Sequence, residues 1–181
     1  MNLISIFALQ FVLTTLVLAV MARWYLVPWL KDKPLHFALS ILIAPHAFRH
    51  IGMSFLVPGL TSEELPSGFA NAAAYGDLIS GFLAIGALLA LRYRWRLAIP
   101  IAWAFSIFGT GDLVYALSHA EAIPHLSTAW LIPTFIVPGL LVTHWMVLSH
   151  LAAHAWRGRV APKEPGQREL AQTQQSAQGA L

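Results

Sequence analysis

The chain has 181 residues, of which 57% are hydrophobic and only 10% are charged, and its mean hydropathy is +0.65. Soluble domains usually carry about 25% charged residues, so this composition excludes an ordinary soluble protein and indicates an integral membrane protein. There is no cysteine, which excludes disulfide bonds, thiolate metal ligands and thiol catalysis. The net charge of +3 comes from short basic clusters beside apolar segments, so it does not indicate nucleic-acid binding.

Five segments are apolar and long enough to cross a bilayer, which takes about 20 residues. They predict an all-α, five-helix membrane bundle within residues 1–156, with spans at about 3–22, 35–57, 68–91, 97–118 and 129–152. No basic residue precedes the first segment, so we expect it to be a retained span and not a cleaved signal peptide. Residues 157–181 are polar and are predicted to form a disordered tail.

The distribution of basic residues predicts the orientation of the spans. Lys or Arg follows the first, third and fifth spans, whereas the other two connections contain only acidic charges, at Glu63, Glu64 and Glu121. Because basic connections stay in the cytoplasm, the N-terminus is expected outside and the C-terminus in the cytoplasm of a bacterial inner membrane. His150 and His154 then lie at the cytoplasmic end of the fifth span, where we expect an interfacial role.

The second predicted span contains the sequence Pro-His-Ala-Phe-Arg-His at residues 45–50. On an α-helix His46, Arg49 and His50 share one face, because they are spaced at i, i+3 and i+4. Ionisable groups in hydrocarbon are costly, and they usually mark a functional site with a partner in another span. This stretch is therefore the predicted centre of the molecule.

Partners for these side chains are predicted in the other spans. Asp77, Asp112 and His144 lie on the third, fourth and fifth spans, at depths of roughly 10–22 Å from the outer ends at about 1.5 Å per residue. Small residues near them, such as Gly76 and Gly109, allow helices to approach closely. We therefore predict that four spans contribute to one interior site.

The leading functional hypothesis is a metal-dependent membrane enzyme acting on a lipophilic substrate. His46 and His50 have the spacing of zinc-binding H-x-x-x-H helices, and Asp77, Asp112 and His144 are candidates to complete the ligand set. Without thiolates, zinc, iron and manganese are all admissible. A metal-activated water would suit hydrolysis, isomerisation or oxidation, with the catalytic roles assigned to Asp77, Asp112 and Arg49.

Three alternatives remain open at this stage. His46 or His50 paired with His144 predicts a bis-histidine haem b or a quinone-linked redox subunit. Chains of Asp and His in membranes also carry protons or ions, which predicts a relay. The third alternative is a non-catalytic assembly protein, a homo-oligomer or part of a membrane complex, in which Arg49 pairs with Asp77 or Asp112 to hold the spans in register.

Charge balance does not separate these hypotheses. With neutral histidines, Arg49 and the two aspartates leave one net negative charge. One proton neutralises it, and so does a divalent metal that carries hydroxide.

The outer-loop residues His119 and His125 are predicted to be surface groups, and their participation in the site is left open.

Overall fold

A computed structural model describes residues 2–160, and within that range all regular secondary structure is helical, which confirms the all-α prediction. The α-helices are α1 (Leu3–Met21), α2 (Val27–Leu30), α3 (Leu35–Ile43), α4 (Ser67–Arg92), α5 (Ala98–Leu117) and α6 (Val137–Val160). The linking segments are π-helical at Ala22–Leu26 and Ile132–Ile136 and 3₁₀-helical at Ala44–Leu56, Ala120–His125 and Ser127–Trp130. We refer to Ala44–Leu56, the longest of these, as the 3₁₀ segment.

Among the described residues, four helical stretches are long and apolar enough to cross a membrane. They are Leu3–Leu30, Ser67–Arg92, Ala98–Leu117 and Ser127–Arg159, and they correspond to the first, third, fourth and fifth predicted spans. The second predicted span, 35–57, is α3 followed by the 3₁₀ segment and is not one of these four. The five-helix count and the orientation of the bundle therefore stay predictions.

The helix connections lie at two ends. At one end, the connections 57–66 and 118–126 are joined to each other, since the Ser62 N–H donates to the His125 carbonyl at 2.9 Å. The Leu60 carbonyl there accepts from the Ala129 N–H at 3.2 Å and from the Thr128 hydroxyl at 2.8 Å. We call this the loop end. The opposite end carries Arg23 and residues 92–96, and we call it the basic end.

The core consists of three apolar clusters, the smallest of which is Leu113, Val137 and Leu140, and a polar layer separates the cluster toward the basic end from the other two. The cluster toward the basic end is packed around Phe105 and residues such as Leu39, Leu91 and Leu151. The cluster toward the loop end contains Phe55, Phe69, Leu126 and their neighbours. Along the 3₁₀ segment, α4, α5 and α6, the residues between the clusters are buried and polar: His46, Arg49, Asp77, Ser80, Ser106 and His144.

Helix α1 packs loosely, because none of its residues is buried. It contacts the rest of the chain through Phe7, whose ring meets Trp130 edge-on at 5.6 Å, and through Gln10, whose side-chain oxygen accepts from the Trp130 indole N–H at 2.6 Å. The compact unit that contains these contacts ends at Leu151. The predicted tail begins as helix, since α6 continues to Val160, and residues 161–181 lie outside the described residues.

Phe105 is fully buried beneath the polar layer, which gives a direct test of the packing. We expect Phe105→Ala to lower the unfolding free energy by roughly 3 kcal/mol, because the two neighbouring imidazoles cannot fill the space left by the ring. The matched control is Phe82→Ala, which removes a ring that is 66% exposed. Unfolding in mixed micelles followed by intrinsic fluorescence measures both, and equal losses would contradict the core assignment.

Candidate functional site

The 3₁₀ segment presents every third residue to the interior. Its buried residues are His46, Arg49, Gly52 and Phe55, as expected for a helix with three residues per turn. Pro45 explains why α3 does not continue as an α-helix, because proline lacks an N–H and its ring clashes with the carbonyl four residues earlier.

His50 is therefore not part of the buried cluster, which corrects the expectation that it shares a face with His46. It is exposed, and its Nδ1 lies 3.1 Å from the Ala47 carbonyl of its own turn. The prediction assumed α-helical spacing, in which residues i and i+4 share a face. In a 3₁₀-helix the i+3 residue takes that place, so Arg49 points inward with His46 and His50 is turned away.

The guanidinium of Arg49 joins three segments of the chain. Its Nε donates to Asp77 Oδ1 on α4 at 2.6 Å, and its Nη2 donates to Asp112 Oδ2 on α5 at 2.5 Å. Nη2 also lies 2.6 Å from Asp77 Oδ1, and Nη1 donates to the Gly109 carbonyl at 3.0 Å. Arginine suits this position because its planar fork provides several fixed donors, and charge-assisted hydrogen bonds are the strongest kind.

Glycines provide the space for these side chains. A methyl group on Gly52 would overlap the Asp77 carboxylate, and one on Gly76 would overlap the Asp112 carboxylate. A methyl group on Gly109 would lie 2.8 Å from His144 Nε2 and 2.9 Å from Arg49 Nη1. The absence of a side chain at each of these positions is therefore what allows the polar residues to meet.

Two imidazoles lie beside the arginine, in direct contact with each other. The rings of His46 and His144 have centroids 4.1 Å apart, and Phe105 lies 5.1 Å from each. His46 Nε2 is 2.9 Å from the Thr143 hydroxyl, and His144 Nδ1 is 3.1 Å from the Ser106 hydroxyl. Both histidines are almost completely buried.

The hydrogen bonds of Thr143 assign the tautomer of His46. The Thr143 hydroxyl lies 3.0 Å from the carbonyls of Gly139 and Leu140, so its single proton is donated to its own helix. It must then accept from His46, which places the imidazole proton on Nε2 and leaves Nδ1 as an acceptor. Among residues 2–160, His46 Nδ1 and His144 Nε2 are buried without a hydrogen-bond partner.

The two aspartates form the floor of a cavity that extends toward the loop end. The cavity measures about 50 Å³, and its walls include Phe7, Phe55 and Phe69, with His119 also lining it. This volume holds a water molecule or two, not a lipid chain. Of the described residues, Asp77 and Asp112 are the only acidic ones that line the cavity, so it connects the acidic end of the cluster to the loop end.

Five of the six predicted site residues lie together: His46, Arg49, Asp77 and His144 in the buried polar layer, and Asp112 at its partly exposed edge. Three contributors were missed by the sequence analysis, namely Gly52, Ser106 and Thr143. Serine and threonine give little signal in an apolar helix, because they commonly bond to their own backbone. Gly52 lies six residues from His46, and only the 3₁₀ spacing places it on the same face as both His46 and Arg49.

In the observed conformation, the buried side chains fit neither a metal ion nor haem. Within residues 2–160, no group of three or more His, Asp or Glu side chains is placed to hold a metal ion. Arg49 engages one oxygen of each aspartate, and His50 faces outward. For haem, the His46 and His144 rings touch each other, which leaves no space for a macrocycle between them. Metal and haem stay predictions that the geometry does not favour.

Comparison with known proteins assigns the chain to a family. The model of the family described as "Domain of unknown function (DUF8737)" matches residues 6–152, so the chain belongs to this family. The match includes every residue of the buried polar layer. No curated protein and no solved structure matches the chain.

We expect Gly76→Ala and Gly52→Ala to lower the unfolding free energy by about 1–3 kcal/mol each, because the added methyl group displaces a carboxylate that is bonded to Arg49. Gly86→Ala is the control on α4, since nothing lies within 4 Å of its added methyl group. Equal stabilities of Gly76→Ala and Gly86→Ala would show that Asp112 is not seated against Gly76.

We expect Arg49→Met to lower the unfolding free energy by about 3–5 kcal/mol, because it leaves the buried Asp77 and the partly buried Asp112 without a counter-charge. Adding Asp77→Asn and Asp112→Asn to the same chain should recover most of the loss. The control is Arg92→Met at the basic end, where the side chain is exposed. An Arg49→Met protein as stable as the wild type would refute the buried ion-pair network.

Proposed function

We propose that the buried polar layer is a proton relay in a small multi-pass membrane protein. Because membership of this family brings no activity with it, we infer the function from the layer itself. The observation that carries the proposal is that one guanidinium is shared by a buried carboxylate, Asp77, and a partly buried one, Asp112. With neutral imidazoles, this leaves one excess negative charge in the interior. A proton is the simplest ion that neutralises it, and two histidines adjoin the cluster to pass that proton on.

A membrane location is supported by the apolar surface of the helices. No residue in the apolar window of Leu3–Leu30 is buried, so its hydrophobic side chains need an apolar surrounding. We propose that α3 and the 3₁₀ segment form a fifth crossing. Their 9 and 13 residues span about 40 Å together, at about 1.5 and 2.0 Å per residue, which exceeds the bilayer core of about 30 Å.

In the proposed relay, these polar groups form a chain that two cavities adjoin. The cavity at the loop end reaches Asp77 and Asp112, which bind Arg49, and Arg49 Nη1 and His144 Nε2 both lie beside Gly109. His46 bonds to Thr143, and Thr143 also lines a second, largely apolar opening of about 290 Å³ between α1 with its continuation and α6. The unpartnered nitrogens of His46 and His144 are sites where a buried water would complete the chain, since such atoms normally bind one.

The other predicted functions have less support from the geometry. A metal-dependent enzyme needs ligands that are free to converge, and the aspartates instead bind Arg49. A purely structural ion pair needs only one carboxylate for one guanidinium, so it leaves the second aspartate and the imidazole contact unexplained. The relay uses all five side chains.

Proton flux into liposomes tests the relay. Purified protein is reconstituted with a pH-sensitive dye inside, and a potassium diffusion potential drives protons inward. We expect wild-type flux well above that of protein-free liposomes, and at least a tenfold loss in Asp112→Asn, because that variant leaves a neutral Arg49–Asp77 pair with no site for the proton. His144→Phe should also reduce flux, because it removes an imidazole of the chain.

The control for this experiment is Asp32→Asn, which removes an exposed acid outside the cluster and should conduct like the wild type. Stability separates the relay from a structural role. If Asp112 is a proton site, Asp112→Asn loses flux and keeps most of its unfolding free energy. Flux no higher than in empty liposomes for the wild type would refute the relay.

A further inference from the structure

A groove of about 600 Å³ runs between α1 and α6 toward the basic end. The two helices approach closely at Gly139, where an added methyl group would lie 3.5 Å from the Leu18 side chain. Beyond that point small residues such as Ala19 face α6, so the helices leave an open channel. The groove is separate from the buried polar layer, and no residue of that layer lines it.

The walls of the groove are apolar along most of its length and polar at one end. Leu141, Trp145 and Met146 supply the apolar side from α6. At the basic end the lining includes Arg23 and His150. This distribution of apolar and polar residues suits an amphipathic molecule whose charged group lies at the basic end.

Arg23 and His150 both have unused hydrogen-bonding capacity. Among residues 2–160 the acidic side chains in ion pairs are Asp77, Asp112 and Glu64, so none of them pairs with Arg23. His150 Nδ1 lies 2.8 Å from the Met146 carbonyl and donates to it, which leaves Nε2 available to a ligand. A guanidinium and an imidazole at the mouth of an apolar groove are complementary to a phosphate that carries acyl chains.

We propose that the α1–α6 groove binds an anionic phospholipid. One acyl chain lies along Leu141, Trp145 and Met146, and the phosphate is held by Arg23 and His150. The lipid covers the face of α6 that α1 leaves open, including Trp145, which is 73% exposed. This site does not depend on the proposed relay.

Quenching of Trp145 by brominated lipids tests the site. Wild-type and Trp145→Phe proteins are reconstituted in bilayers that contain either brominated phosphatidylglycerol or brominated phosphatidylcholine, and the difference between the two proteins isolates Trp145. We expect the anionic lipid to be preferred at this position by about fivefold through Arg23, with a further contribution from the hydrogen bond of His150. Arg23→Gln and His150→Gln should each reduce the preference, and the double variant should abolish it.

The matched control is Arg96→Gln, which removes a charge at the basic end outside the groove and should keep the full preference. Equal quenching of the wild type by both lipids would overturn the proposal. So would an equal effect of Arg23→Gln and Arg96→Gln, which would indicate attraction of anionic lipid to the basic end in general. Because preference is a ratio measured on one protein, a folding defect lowers both signals and does not imitate the expected result.

Discussion

The arrangement of the interior depends on the charge pairing of Arg49. Removing a guanidinium and two carboxylates from water is costly, and the cost is offset only when each group finds close and well-directed partners. Arg49 meets this condition by bonding at once to α4, through Asp77, and to α5, through Asp112 and the Gly109 carbonyl. The glycines at 52, 76 and 109 follow from the same requirement, because any larger residue would push these groups apart.

The 3₁₀ segment orients the side chains of Arg49 and His46 for these contacts. Runs of 3₁₀-helix longer than about four residues are uncommon, and this one has 13. In an α-helix Arg49 would be rotated by about 60° relative to His46, since three residues turn about 300° in an α-helix and a full turn in a 3₁₀-helix. The tighter winding keeps His46 and Arg49 on one line, so the imidazole pair and the ion pairs belong to a single connected layer.

Much of this architecture follows from hydropathy alone. The predicted spans 68–91 and 97–118 agree closely with Ser67–Arg92 and Ala98–Leu117. The reason is that polar residues at both ends of a long apolar segment fix where the helix begins and ends. The convergence of Arg49 with Asp77 and Asp112 was also predictable, since buried charges need partners. The outward position of His50 was not, because the winding of residues 44–56 is a tertiary outcome. The hydroxyls of Thr143 and Ser106 gave no pattern that marks them as imidazole partners.

The order of these partners along the chain has a consequence for biosynthesis. Arg49 is synthesised before Asp77 and Asp112, so for a time its segment carries an uncompensated charge. In a bilayer an isolated arginine at mid-depth costs about 3 kcal/mol on translocon scales, enough to hold a weakly hydrophobic segment back. If the proposed fifth crossing is correct, residues 35–56 are expected to settle into the lipid only after α4 and α5 have been synthesised, which couples the membrane integration of this segment to tertiary assembly.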